Sequence, residues 1–182
     1  MKKIISLLSI LCLAITGAFA QEQVSISRFQ GEKITAIKVI GAFEVTARQG
    51  ESTGISVSIP ARLAQKLILT LKNGELLLSM EGKGKWKKND KCKAEITVSS
   101  LEKIELSGAC SLDFSKEITT DNFKAEIIGA SSVTLNNPIH VKQEAKITLT
   151  GASKLSGQLT SQELICEILG ASQLTLSGES EQ

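Results

Sequence analysis

The chain of 182 residues contains one histidine, His140, three aspartates, Asp90, Asp113 and Asp121, no tyrosine, one tryptophan and two prolines. Each scarcity excludes something. A nucleophile–His–acid relay requires an imidazole as proton shuttle. His140 is the sole candidate; it follows Pro138-Ile139 in an expected return turn, and no Gly-x-Ser-x-Gly elbow accompanies it. A catalytic metal needs several converging His, Cys or carboxylate ligands, so neither a metal site nor any other cofactor is expected. Few aromatic side chains means that a flat aromatic strip for stacking sugars is not expected either. An excess of charge is missing as well. Without Lys2 and Lys3 the chain carries 19 basic and 19 acidic residues, not the basic surplus of a nucleic-acid binder.

What is present begins with an address. Met1-Lys2-Lys3 is a short positive segment, residues 4–15 are mainly apolar and uncharged, and Ala18-Phe19-Ala20 places small residues at −3 and −1 of a cut before Gln21. This is the pattern of a secretory signal peptide over residues 1–20. The apolar run is shorter than the roughly 20 residues of a spanning helix, and no later segment reads as transmembrane. Export to the periplasm, the outer surface or the extracellular medium is the expectation. Exported chains can form disulfides, but Cys92, Cys110 and Cys166 are odd in number and lack CxxC spacing. They read as small buried apolar residues, with a Cys92–Cys110 pairing left open.

The second half repeats. Gly108-Ala109-Cys110, Gly129-Ala130-Ser131, Gly151-Ala152-Ser153 and Gly170-Ala171-Ser172 recur at about 20-residue intervals, with an earlier cousin at Gly41-Ala42-Phe43. Aligned on the glycine, the position four before it reads Ile104, Ala125, Ile147, Cys166, and the position two before it reads Leu106, Ile127, Leu149, Ile168. The position four after it reads Leu112, Val133, Leu155, Leu174. Alternation of apolar and polar residues on both sides of the glycine predicts strand, Gly-Ala-Ser bend, strand and return turn. One such unit cannot bury its own apolar side, whereas stacked units can. The fold predicted is all-β: a right-handed parallel β-helix or β-solenoid with rungs of about 20 residues. Handedness rests on the crossover rule; an antiparallel sandwich or prism built from the same strands is the runner-up.

Residues 21–100 interrupt this regularity. Ile55, Val57 and Ile59 alternate as a strand, and residues 60–66 suit a helical turn or two with Pro60 at the start. Residues 67–71 and 75–80 flank Lys72-Asn73-Gly74, a hairpin turn. Residues 82–93 follow as a long loop, and residues 94–98 resume a strand. The organisation expected is a signal peptide at 1–20, an N-terminal β region with a hairpin elaboration and Lys-rich loop at 21–100, and repeats at 101–182. The last two regions are continuous, making one domain.

The repeated units resemble the head-GIN domain family of autotransporter-adhesin-like exported proteins. Residues 37–45, Ile-Lys-Val-Ile-Gly-Ala-Phe-Glu-Val, are similar to the start of that family's pattern, and residues 98–109 to the place where its array begins. The resemblance spans roughly residues 34–178. It implies a β-helical fold and an adhesive role, and it brings no catalytic motif with it.

Among candidate sites, the loop is the most distinctive. Lys83, Lys85, Lys87, Lys88, Lys91 and Lys93 surround Trp86, against one acid, Asp90. Local positive potential attracts anionic groups, and an indole can stack or insert at an interface. A carboxylate pair for glycoside hydrolysis is conceivable along Glu105, Glu126 and Glu167, but Lys103, Lys124 and Lys146 lie two residues away on the same face, as in a charge-balanced outer ladder. Cys110, Ser131, Ser153 and Ser172 form a row of small polar groups expected to bond to backbone in neighbouring units. The reading reached is an exported, non-catalytic binding or adhesion module, not an enzyme. Its partner is an acidic glycan or a cell-envelope or surface protein, with homo-oligomerisation through the solenoid ends also open. Alternatives are a polysaccharide-active β-helix enzyme and a structural or assembly subunit of the envelope.

Overall fold

The architecture follows from the period-two patterning. A computed structural model describes residues 22–82 and 90–178; residues 1–21, which include the expected signal peptide, and residues 83–89 and 179–182 lie outside the described residues. The strands in chain order are β1 (Gln23–Arg28), β2 (Ala36–Gly41), β3 (Glu44–Gln49), β4 (Gly54–Pro60), β5 (Leu67–Lys72), β6 (Glu75–Met80), β7 (Lys93–Val98) and β8 (Lys103–Gly108). They continue with β9 (Ser111–Phe114), β10 (Ile118–Thr120), β11 (Phe123–Gly129), β12 (Ser132–Val141), β13 (Glu144–Gly151), β14 (Lys154–Thr160), β15 (Glu163–Gly170) and β16 (Gln173–Ser177). The one helical element described is a short 3-10 segment, Ala61–Lys66.

The strands form two mixed sheets. One runs β1-β4-β7-β3-β9-β12-β14-β16, with β10 beside β12; the other runs β15-β13-β11-β8-β2-β6-β5. Pairing among β8, β11, β13 and β15 is parallel and aligns the repeat columns residue for residue, so Gly41, Gly108, Gly129, Gly151 and Gly170 lie in one row. Antiparallel pairs occur at β1–β4, β4–β7 and β5–β6. The hairpin turn is where the sequence placed it, with Asn73 at φ 51° and Gly74 at φ 82°.

Chain order and spatial order differ. The strand β7 does not lie between β3 and β9; β3 pairs with both, so β4, β5, β6 and β7 are stacked on the far side of the β2–β3 pair from the repeats. The strand β1, whose Val24 and Ile26 alternate with serines, was not anticipated and adds antiparallel to β4. Between the sheets runs one core, including Val39, Leu78, Leu106, Ile127 and Leu149 from one and Val45, Val57, Leu112, Val133 and Leu155 from the other. Each aliphatic side chain withdrawn from water there contributes roughly 1.5–3 kcal/mol. Phe43 and Phe114 fill the same core, as their columns required.

The Gly-Ala-Ser corners carry two separate physical demands. At Gly129 and Gly151 φ is +87° and +93°, a left-handed conformation costly for other residues. A Cβ there would also meet the carbonyl oxygen of the glycine in the neighbouring corner at 2.7 and 2.8 Å. The small polar row behaves as expected. The Ser131 hydroxyl lies 3.2 Å from the carbonyls of Gly108 and Ile128 and accepts from the Cys110 amide at 3.3 Å. Ser153 repeats the contacts with the carbonyls of Gly129 and Thr150, and Ser172 those with Gly151 and Leu169. The Gly108 and Gly129 carbonyls also accept from the Ala130 and Ala152 amides at 2.7 and 2.8 Å, so the serine hydroxyls lie against oxygens already bonded between corners and tie each bend to the next.

Candidate functional site

Five corners between the sheets are two residues long: 42–43, 109–110, 130–131, 152–153 and 171–172. A sixth connection, from β6 to β7, takes residues 81–92. Register shows what this segment replaces. Lys93 lies opposite Glu44, and Glu44 opposite Ser111, so Cys92 stands in the corner row with Phe43 and Cys110. The connection from β6 to β7 therefore rejoins the sheets in the corner row, on the margin that carries the Gly-Ala-Ser bends. Sequence alignment on glycine missed this because Cys92 has no Gly-Ala before it.

The described end of the loop is firmly rooted. Asp90, whose side chain is buried, pairs with Arg62 from the 3-10 segment. Cys92 is buried, and its carbonyl accepts from the Glu44 amide at 2.8 Å. Burial, reinforced by the nearby Asp90 carboxylate and opposed by Arg62, pushes the Cys92 thiol pKa up to about 11. Lys91 and Lys93 are exposed, and Lys93 pairs with Glu44 at 3.1 Å across the parallel strands. The other proposed contact residues, Lys83, Lys85, Trp86, Lys87 and Lys88, lie outside the described residues.

Other candidates resolve into structure. Glu105 is held by Lys38 at 2.6 Å and Lys103 at 3.1 Å, and Lys124 pairs with Glu126 at 2.5 Å. Burial alone would raise the Glu105 pKa; hydrogen bonds from Lys38 and Lys103 outweigh it and hold the carboxyl below its ordinary value. In β8 and β11 the outer ladder is thus a set of ion pairs. His140 is not in a turn: β12 continues through residue 141, because Pro138 is accommodated at an irregularity in the pairing with β14. Its ring nitrogens lie 2.8 Å from Glu117 and 3.0 Å from the Thr160 hydroxyl. That connectivity matches a hydroxyl–His–acid relay. However, Thr160 is simply the residue opposite His140 in register, and His140 and Glu117 are 43% and 64% exposed, with none of the water exclusion that strengthens catalytic electrostatics. Beside Glu117 a shallow cleft of about 550 Å³, open to solvent, is lined by Gln49, Gly50, Glu51 and Ser99. The Gln49 amide is already committed there, accepting from the Thr119 amide and donating to the Ser99 carbonyl.

The cysteines divide differently from the expectation. Cys92 and Cys110 are buried, Cys166 is exposed, and all three are free thiols. Cys166 occupies an inward column, but among the described residues β15 has a neighbour on one side only. Among the described residues, no group of three or more His, Cys, Asp or Glu is placed to hold a metal ion. None of their helices is long and apolar enough to cross a membrane.

The family model described as "Putative auto-transporter adhesin, head GIN domain" matches residues 33–182. The chain belongs to the head-GIN domain family. Solved structures of similar fold include a protein from Parabacteroides distasonis named a putative adhesin (18% identity, TM-score 0.78, covering 87% of this chain and 67% of that one). Another from the same organism is named a putative lipid binding protein (12%, 0.56, 85% and 96%). A third, from Clostridium sporogenes, is named a putative cell adhesion protein (10%, 0.58, 87% and 100%). No protein of curated function matches the sequence. At these identities the likeness concerns the fold. The head-GIN membership agrees with an adhesin-like, exported protein.

Proposed function

We propose that this head-GIN protein is an exported, non-catalytic adhesion module in which the stacked sheets form a right-handed β-solenoid. The Lys-rich loop is the contact surface for an acidic glycan. The observation that carries the reading is the expanded corner: where five other connections need two residues, this one takes twelve, residues 81–92, and concentrates lysine around one tryptophan. Its root at Asp90 and Cys92 is tied to Arg62 and to the core, which supports presentation of the loop from a stiff base. Ammonium groups of Lys83, Lys85, Lys87, Lys88, Lys91 and Lys93 supply the attraction, and Trp86 supplies a face for a sugar ring. Export follows from the signal peptide at residues 1–20.

The test is binding of the purified protein to sulfated and uronic polysaccharides at low and moderate salt. Affinity should fall as salt rises, because screening weakens exposed ionic contacts. Lys→Gln changes across the loop should weaken binding and flatten its salt dependence. Unchanged affinity and salt dependence in those variants would overturn the loop assignment. Neutral glycans bound equally well would overturn the acidic-ligand reading.

A further inference from the structure

The strand β15 is built differently from the strands it extends. In β8, β11 and β13 the inward columns are fully buried: Ile104, Ala125 and Ile147, then Leu106, Ile127 and Leu149. The same columns in β15 hold Cys166 and Ile168, both exposed, with Leu164 beside them. The outward columns change as well. Register places Ile165 where the preceding strands carry Lys103, Lys124 and Lys146, and Leu169 where β13 carries Thr150. Ile168 and Leu169 are 46% and 50% exposed.

A strand apolar on both faces has the composition of a strand covered on both sides and paired on both edges. Soluble proteins usually guard a free edge with charge, lysine above all; here the lysine column ends one strand before the edge. At the opposite end of the sheets the guard is in place, since β5 ends in Lys72 and β1 in Arg28. Among the described residues β15 pairs only with β13, and β16 only with β14.

We infer that β15 is a self-association edge, and that its partner is the β15 of a second copy, paired antiparallel about a two-fold axis. Charge selects the register. Opposed residues in an antiparallel pair share a face, so the sum of their numbers must be even for both faces to continue. Centred on Cys166, Glu163 meets Leu169, Leu164 meets Ile168, Ile165 meets Glu167, and Cys166 meets its own copy; no carboxylate opposes another. Centred on Ile165, Glu163 opposes Glu167 twice. Centred on Glu167, that residue opposes itself. Like charges directly opposite are destabilising, so the Cys166-centred register is favoured over either neighbour. The same axis brings the free edge of β16 towards its copy. It also covers the inward side chains of β15 that solvent now reaches. A two-fold pairing closes at a dimer and does not propagate. This inference is independent of the identity of the ligand.

The register has a chemical signature. Directly opposed antiparallel residues have Cα atoms about 4.5–5.5 Å apart, inside the roughly 4.4–6.8 Å span of disulfides. Oxidised glutathione should therefore join the two Cys166 sulfurs: each thiol gives up a proton, the new S–S bond forms, and the glutathione disulfide is reduced to two thiols.

The test uses sedimentation equilibrium of the purified protein from micromolar to hundreds of micromolar, with and without oxidised glutathione, beside the double variant Ile165→Lys, Leu169→Thr. Those replacements are the residues β13 itself carries at the equivalent positions, Lys146 and Thr150, so the variant should retain the circular dichroism spectrum and melting temperature of the monomer. The expected result is a concentration-dependent doubling of mass and a Cys166-linked dimer on oxidation, both lost in the variant although Cys166 is retained. A monomer throughout, masses that grow without limit, or a variant that dimerises and cross-links unchanged would each overturn the proposal.

Discussion

Replacing Gly129 by alanine tests the stacking of the corners at a single atom. Gly129 has φ +87°, and the added Cβ would lie 2.7 Å from the Gly108 carbonyl oxygen, a backbone atom that cannot swing aside. The left-handed conformation costs roughly 1–2 kcal/mol for an L-residue, and forcing an extra carbon into packed surroundings costs roughly 1–3 kcal/mol more. The sum is about 2–5 kcal/mol. At about 2–4 °C per kcal/mol for a chain of this length, the melting temperature should fall by about 4–20 °C. Gly31→Ala is the control: φ is +77° there too, but nothing lies within 4 Å of the added carbon. It should show only the conformational part, about 1–2 kcal/mol. Thermal and urea unfolding of both variants give the comparison. Equal losses would refute the reasoning, because the clash would then contribute nothing and the corners could not be stacked as closely as described.

Further expectations follow from buried polar groups and thiols. Ser131→Ala removes the acceptor of the Cys110 amide in a buried corner, and urea unfolding should show a loss of about 1–3 kcal/mol, the cost of an unmet buried donor. At dilution where the protein is monomeric, native protein lacking residues 1–20 should expose one fast-reacting thiol to an aromatic disulfide reagent, Cys166. Cys110 is buried, and Cys92, with its pKa pushed to about 11, should stay silent until the chain is unfolded; two or three fast thiols would contradict the core assignment. The Glu105 carboxyl is held below its ordinary 4.5, so its contribution is fully present above pH 4.5 and is lost as pH falls through the lower folded value. Stability in wild type should therefore drop more steeply on that acid limb than in Glu105→Gln, and parallel limbs would remove the ion pairs with Lys38 and Lys103 from the account.

Much of the architecture was legible because the signal repeats. A single apolar alternation is ambiguous, but the same alternation aligned on five glycines fixes strands, bends and parallel register together. The pairing Gly41–Gly108–Gly129–Gly151–Gly170 is the sequence alignment turned into hydrogen bonds. The irregular half was legible only piecewise. The hairpin at Asn73-Gly74 could be read from local turn chemistry. The placement of β4 to β7 beyond the β2–β3 pair could not, since it depends on which free edge a later strand reaches, a nonlocal choice. Cys92 in the corner row was hidden for the same reason, and His140 was assigned to a turn because Pro138 reads locally as a strand breaker.

The sequence by itself determined the all-β class, the inward and outward columns, the small residues at the corners and the concentration of lysine in one loop. These are properties of period, side-chain volume and charge along the chain. Only the tertiary structure decided that Glu105 is committed to Lys38, that Cys92 stands in the corner row, and that Cys166, Ile165 and Leu169 stand at a strand edge left free among the described residues. Burial and pairing belong to neighbours in space. An inward column is buried only where another strand follows it, and at β15 none among the described residues does.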